Sequence, residues 1–338
     1  MESTILLNNL LDKKNVTTSE TKIFLENVMK GEVPSSQLAA ILVALRMKGE
    51  TVDEIVGFIK AMREQMVHVS VKDAIDVCGT GGDGSKSFNI STAASFVIAG
   101  TGVRVAKHGN RAASSTCGSA DVLETLGVNI NLSSEQAKKI LEKVGMVFLF
   151  APLFHPATKH VVAVRKELKV RTIFNYIGPF LNPASVKRQI IGVPNREIAE
   201  KLIQVGKKLD YKHLLIITSD DGMDEISLSA ETYIVELKNN SIKKIVIDPE
   251  KLGFTKVAKK EIEEGTLEQN AEFIKEILNG VKNAKRDIVV LNSAVALYAA
   301  GKVKTIKQGI ALAEKAIDSG AAKNIFELLR KETKKYEK

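Results

Sequence analysis

Glycine, lysine and carboxylate residues recur in this chain at a spacing suited to holding phosphate. The run Asp76-Val77-Cys78-Gly79-Thr80-Gly81-Gly82-Asp83-Gly84 is followed by Asn89-Ile90-Ser91-Thr92 and then by Lys107-His108-Gly109-Asn110-Arg111-Ala112-Ala113-Ser114-Ser115. Glycines let the backbone come close to an anion and turn successive N–H groups toward it. Lysine, arginine, asparagine and serine add side-chain donors and charge. A glycine-rich turn alone is common, but three donor-rich segments within forty residues narrow the ligand to a polyphosphate or a sugar phosphate.

Asn89, Ile90, Ser91 and Thr92 stand just ahead of the apolar run Ala93 to Ala99. That places them at a helix N-terminus, where free N–H groups and the helix dipole favour an anion. Ser91 and Thr92 also read as plain capping residues. Lys107 and Arg111 are expected to follow the second strand, at the end where open α/β sheets bind ligands. His108 reads first as a packing or orienting residue. Further on, Asp224-Glu225 places two acids after an apolar strand. Adjacent acids on a loop suit Mg²⁺, a hard cation that shares its shell with phosphate and water. A phosphate cradle beside such a dyad implies chemistry in which pyrophosphate is held and its departing charge neutralised.

The elements that must position these residues fall into two patterns. Residues 1 to about 70 read as helices only: Thr17-Thr18-Ser19-Glu20 is a capping box, Gly31 a helix stop, Pro34-Ser35-Ser36 a new start, and Thr51-Val52-Asp53-Glu54 a second cap. From Ala74, β-like runs alternate with helices: 74–77, 103–106, 146–150, 189–193 and 214–217. The fold class expected is α/β, with a small N-terminal all-helical domain and a larger domain around a central, mostly parallel sheet flanked by helices. The helical domain is expected over 1–72, with a helical return at about 163–187. The α/β domain then takes 73–162 and 188–338. Asn239-Asn240 is a hairpin signal between strands 232–237 and 243–247, and the last 70 residues read as mainly helical.

Composition sets limits on function. With 338 residues, 44% hydrophobic and 26% charged, the chain can bury a substantial core. No apolar stretch is long enough to span a bilayer, and the start Met1-Glu2-Ser3-Thr4 lacks a basic secretory leader, which points to the cytoplasm and away from membranes. Cys78 and Cys117 suggest neither a zinc site nor a disulfide framework. The net charge of +9 raises nucleic acid as a partner, but the lysines are scattered among glutamates, as in Lys331-Glu332-Thr333-Lys334-Lys335. No nucleic-acid partner is expected.

These motifs, with Arg165-Lys166-Glu167-Leu168, the segment from Arg171 to Pro183 and Leu291 to Tyr298, resemble the anthranilate phosphoribosyltransferases over nearly the whole chain. The resemblance implies a class III nucleoside phosphorylase-like fold. It also implies transfer of the phosphoribosyl group from 5-phosphoribosyl 1-pyrophosphate to the amine of anthranilate, the second step of tryptophan biosynthesis. By position, it assigns Gly79, Gly82, Asp83, Ser87, Asn89, Ile90, Ser91, Thr92, Lys107, His108, Gly109, Asn110, Arg111, Ala112, Ala113, Ser114, Ser115 and Ser119 to the phosphoribosyl pyrophosphate. Ser91, Asp224 and Glu225 would hold two Mg²⁺ ions, with Lys107, Asp224 and Glu225 as the catalytic groups. Anthranilate would be lined by Gly79, His108, Asn110, Arg165, Gly178 and Pro179, with the Arg165 fork facing its carboxylate. A homodimer through the helical domain is implied as well.

Ser87, Cys78, Met223 and Lys169 depart from the family pattern, which has threonine, a small apolar residue, leucine and glycine there. Lys169 bears on a local turn, not on the chemistry. The expected mechanism is displacement at ribose C1 through an oxocarbenium-like state without a covalent enzyme intermediate, so that catalysis rests on positioning and electrostatics. A side chain at Gly79 is expected to obstruct both substrates. Two alternatives are a pyrimidine nucleoside phosphorylase, whose Lys-x-Ser and Thr-Gly-Gly patterns differ from those here, and a non-enzymatic relative that binds nucleic acid through its basic surface.

Overall fold

A computed structural model describes residues 2–81, 87–112 and 117–337. Four helices come first: α1 (Ser3–Leu11), α2 (Thr18–Lys30), α3 (Ser35–Lys48) and α4 (Val52–Gln65). Their limits are set by local chemistry. Thr17 with Glu20 and Thr51 with Glu54 form reciprocal capping boxes at the starts of α2 and α4, which supply acceptors to otherwise orphaned N–H groups. Gly31 ends α2 at φ 81°, a left-handed conformation that costs glycine little.

The chain then alternates: β1 (Ala74–Gly79), α5 (Ile90–Gly100), β2 (Arg104–Gly109), α6 (Ser119–Thr125), α7 (Ser134–Val144) and β3 (Met146–Phe150). Three helices follow, α8 (Ala151–Phe154), α9 (Lys159–Leu168) and α10 (Phe174–Ile177), and a tight turn over Gly178–Leu181. Next come β4 (Arg188–Gly192), α11 (Arg196–Lys208), β5 (His213–Ser219), β6 (Thr232–Lys238) and β7 (Ser241–Ile247). The chain closes with α12 (Leu267–Leu278), α13 (Ala284–Ala299), α14 (Ile306–Asp318) and α15 (Ala321–Lys334). Among the described residues no helix is long and apolar enough to cross a membrane.

The seven strands form one sheet in the order β3-β2-β1-β4-β5-β6-β7. The first five are parallel, and β6 and β7 are antiparallel additions. Lys238 pairs with Ser241 across Asn239 and Asn240, whose φ values of 49° and 64° make the two-residue hairpin turn that the asparagine pair signals. The second strand is longer than the sequence pattern indicates. It runs through Lys107 and His108 to Gly109 because these residues pair with Phe148, Leu149 and Phe150 of β3, so Lys107 lies inside the strand instead of following it.

Two hydrophobic cores flank the sheet. One joins a face to which all seven strands contribute to α5, α6, α7 and the C-terminal helices α12–α15. The other runs from α1–α4 through Val161, Val164, Phe174 and Phe180 to α11 and to Ile191, Leu214, Ile216 and Val235 of β4–β6. The N-terminal helices thus share one apolar core with α9, α10 and a face of the sheet. The order in which strands are added reverses between β1 and β4, and at such a switch point the carboxyl ends of neighbouring strands leave a crevice.

Candidate active site

The crevice is a cavity of about 450 Å³ at the carboxyl ends of β1, β2 and β3. Its wall contains Gly79, Ser87, Asn89, Ile90, Ser91, Thr92, Lys107, His108, Gly109, Asn110, Arg111, Ala112, Ser119, Arg165, Gly178, Pro179, Asp224 and Glu225. Residues from the three donor-rich segments, the acidic pair, the Gly178-Pro179 turn and a distant helix therefore meet at one place. Gly82, Asp83, Ala113, Ser114 and Ser115 lie outside the described residues.

On the β1 side, the glycines make room for the acidic loop. A Cβ at Gly79 would lie 2.0 Å from Asp224 Oδ2, and one at Gly192 would lie 1.7 Å from the Asp224 carbonyl oxygen. Gly81, at φ 69°, donates its N–H to Asp224 Oδ2 at 3.0 Å. The neighbouring acid caps α5: Ser91 N–H donates to Glu225 Oε1 at 3.2 Å. The helix N-terminus expected to face an anion thus already faces a carboxylate of the protein. Glu225 keeps some exposure to the cavity, but protein crowds its carboxyl and Asp224 stands beside it, and together these push its pKa up to about 8. Lys107 and Ser91 oppose that rise.

Lys107 is 2% exposed, and its ammonium donates to the Val77 carbonyl at 2.7 Å and to Ser91 Oγ at 3.1 Å. His108 is buried against the His155 ring, with centroids 5.3 Å apart. Burial, then His155 and Lys107, lower its pKa to about 3, which leaves the imidazole neutral near pH 7. Its Nε2 and the Thr80 hydroxyl are buried without a hydrogen-bond partner among the described residues, and both belong to the cavity wall. Gly109 is close-packed, since a Cβ there would lie 2.4 Å from Ser119 Oγ. The Asn110 carbonyl accepts from Ser119 Oγ at 3.3 Å, and Asn110 Oδ1 accepts Arg111 N–H at 2.8 Å. Arg111 is committed to acids on α6, with Nη1 2.9 Å from Asp121 and 2.5 Å from Glu124.

Arg165 projects from α9, with its guanidinium 5.6 Å from the Phe174 ring centroid. No salt bridge among the described residues includes it, so its fork is available for a carboxylate from outside the chain. The wall also contains Cys78, Thr80 and Gly81 of the glycine-rich run and Phe174 and Asn175 of the segment from Arg171 to Pro183, residues to which no ligand is assigned by position, together with Phe88, Cys117, Gly118 and Ala151. Phe174 and Arg165 lie on different helices and only the fold brings them together, so no local signal marks the pair.

The donor set fits Mg²⁺. Asp224 and Glu225 offer hard oxygens, and the crowding that raises the Glu225 pKa is what a bound cation reverses. Among the described residues no group of three or more His, Cys, Asp and Glu side chains is placed to hold a metal. A dyad sharing the ion with phosphate and water needs no such cage. Ser91 Oγ already accepts from Lys107, which leaves it its second lone pair.

Comparison with known proteins decides the family. The anthranilate phosphoribosyltransferase of Geobacillus sp. (strain WCH70) is 47% identical over 334 residues, covering 98% of both chains. This chain belongs to the anthranilate phosphoribosyltransferase family. Residues 4–66 match the glycosyl transferase family helical bundle domain, and residues 71–323 match the a/b domain of that family. The crystal structure of the Thermus thermophilus anthranilate phosphoribosyltransferase aligns at a TM-score of 0.91 and 36% identity, covering 97% of this chain and 99% of that one. A Saccharomyces cerevisiae anthranilate phosphoribosyltransferase, solved in complex with PRPP and Mg, aligns at 0.89 and 26% identity over 98% of each chain. Neither a nucleoside phosphorylase nor a nucleic-acid-binding relative is favoured by these likenesses. Of the departures from the anthranilate phosphoribosyltransferase pattern, Lys169 caps α9 at φ 51°, so the left-handed turn is made without glycine.

Proposed function

We propose that the chain transfers the 5-phosphoribosyl group of 5-phosphoribosyl 1-pyrophosphate to the amine of anthranilate, forming N-(5-phosphoribosyl)anthranilate and pyrophosphate. The observation that carries this reading is one cavity with two chemically distinct sides. The Asp224-Glu225 dyad, Lys107 and the start of α5 make a polar side, while His108, Arg165, Phe174 and Gly178-Pro179 make a side suited to an aromatic acid.

On the polar side, the side-chain amides of Asn89 and Asn110, with Ser119 beside them on the cavity wall, supply donors to the phosphates. Lys107, with its charge beside Ser91, stabilises the negative charge that grows there as the C1–O bond breaks. Two Mg²⁺ ions, held by Asp224, Glu225 and Ser91, would spread the charge of the departing pyrophosphate. On the other side, Arg165 binds the anthranilate carboxylate, and the neutral His108 with Pro179 orients the ring. The amine nitrogen then forms its bond to C1 from the face opposite the leaving group and passes its proton to solvent. No covalent intermediate with the enzyme forms, so the rate comes from alignment and preorganised charge.

The same reading places the enzyme in the cytoplasm as a homodimer through the helical domain over 1–72 with its return at 163–187. Exposed apolar side chains on those helices, Leu11 and Met47 among them, support such an interface. The test is stoichiometry: pyrophosphate release should match anthranilate consumption one for one and require Mg²⁺. Phosphorolysis of uridine in place of that reaction would contradict the proposal.

A further inference from the structure

Asp76 is 0% exposed in β1, and none of the roles above uses it. Its carboxylate collects donors from three separate segments. Asn182 Nδ2 donates to Oδ2 at 2.8 Å, Gln189 Nε2 to the same oxygen at 3.1 Å, and the His108 N–H to Oδ1 at 3.2 Å. Each donor is in turn tied to a wall of the cavity or to the strand behind it. Gln189 Nε2 also donates to the Pro179 carbonyl at 2.8 Å, and Asn182 Nδ2 to the Ala106 carbonyl at 2.8 Å. Behind Gln189, the Tyr211 hydroxyl donates to its Oε1 at 2.9 Å, and Arg63 Nε donates to the Phe180 carbonyl at 2.8 Å.

A buried carboxylate is costly unless its lone pairs are filled, and an apolar core residue would serve stability as well or better. Here desolvation pushes the Asp76 pKa up to about 6, against the pull of Lys107 and Asn182. What the charge supplies is geometry. It joins the main chain at His108 to the turn at Pro179, two pieces of wall that come from β2 and from the segment after α10. A flat ring bound between such walls is sensitive to their separation, since a displacement of about 1 Å can cost on the order of 100-fold in rate.

We propose that Asp76 is a positioning residue that, through Gln189 and the His108 main chain, sets the separation of the His108 and Gly178-Pro179 walls of the aromatic-acceptor channel. The proposal rests on the reading that anthranilate lies between those walls. The phosphate side has its own contacts, Gly81 with Asp224 and Ser91 with Glu225, in which Gln189 takes no part.

Steady-state kinetics of the full-length enzyme with Mg²⁺, varying each substrate, tests it. Gln189→Met keeps volume and removes the link; the anthranilate KM should rise about tenfold, the effect of roughly one strong hydrogen bond. The KM for phosphoribosyl pyrophosphate should stay within about twofold, because its contacts are untouched. Asp76→Asn should act in the same direction, and the double variant should fall short of the product of the singles, as for residues in one network. Tyr211→Phe, at the far end of the chain of bonds, should give a smaller rise of about threefold. Should Asp76→Asn not fold, Gln189→Met and Tyr211→Phe decide the matter. Equal rises in both KM values overturn the proposal. So does an unchanged anthranilate KM in Gln189→Met while Arg165→Ala raises it. An unchanged anthranilate KM in both Gln189→Met and Arg165→Ala overturns the substrate placement, and the proposal with it.

Discussion

Lys107 Nζ stands 3.1 Å from Ser91 Oγ, so an ammonium from β2 braces the first turn of α5, with the Val77 carbonyl of β1 as its other acceptor. The same charge acts favourably on Asp76 and on Glu225. Lys107→Met keeps the length of the side chain and removes both donor and charge. Its kcat/KM should fall by about 100-fold or more, the scale of losing one preorganised charge at a reacting centre. Kinetics and calorimetry on the same preparation check this, and a folded variant within about threefold of the parent would contradict it.

Gly79 is constrained first by the protein and only then by a ligand. The sequence reading makes a side chain there an obstacle to both substrates, whereas the added Cβ would meet Asp224 Oδ2 at 2.0 Å and Cγ at 2.6 Å. Gly79→Ala should therefore displace the acid. The KM for phosphoribosyl pyrophosphate should rise and kcat fall, each by about tenfold, while anthranilate KM changes less. A rise confined to anthranilate would contradict the geometry.

Lys169 holds a left-handed conformation at the end of α9 with an exposed side chain. For a residue with a Cβ this costs roughly 1–2 kcal/mol. Lys169→Gly should raise stability by about 1 kcal/mol in denaturant unfolding, net of the extra entropy of glycine in the unfolded chain, and leave turnover unchanged. Loss of stability would contradict this account of the turn.

His108 and His155 are buried, and burial lowers their pKa values to about 3 and about 4. Unfolded imidazoles protonate near pH 6.5, so below that pH the unfolded chain binds protons that the folded chain refuses. Stability from these groups is therefore complete above pH 6.5 and declines as pH falls toward 4 and then 3. At pH 5 the loss should be about 2 kcal/mol for each imidazole. Asp76 works in the opposite sense between pH 3.8 and about 6, where the folded state holds the extra proton. His155→Phe should thus lose less stability between pH 7 and pH 5 than the parent, as read by urea unfolding at the two pH values. An equal loss would place His155 outside this balance.

Local chemistry made much of the molecule legible. The capping boxes at Thr17 and Thr51, the hairpin at Asn239-Asn240 and the change from helical to alternating pattern near Ala74 all follow from short-range rules that the fold does not override. The donor-rich segments could be read because glycines and polar residues cluster there against the average composition. Other features depend on long-range contacts. The end of β2 is set by pairing with β3, which no property of Lys107 or His108 announces. Arg165 looks like any exposed arginine on a helix until the fold brings Phe174 and the strand ends to it. Asp76 and Gln189 are single polar residues in apolar strands, and only the sheet register, which pairs them directly, reveals a connected network.

Loss of anthranilate fluorescence in the presence of phosphoribosyl pyrophosphate and Mg²⁺ tests the central claim most directly. The full-length protein should extinguish the signal, and a folded Asp224→Asn, Glu225→Gln double variant should not. A stable signal with the parent protein, or equal loss with the double variant, would contradict the account.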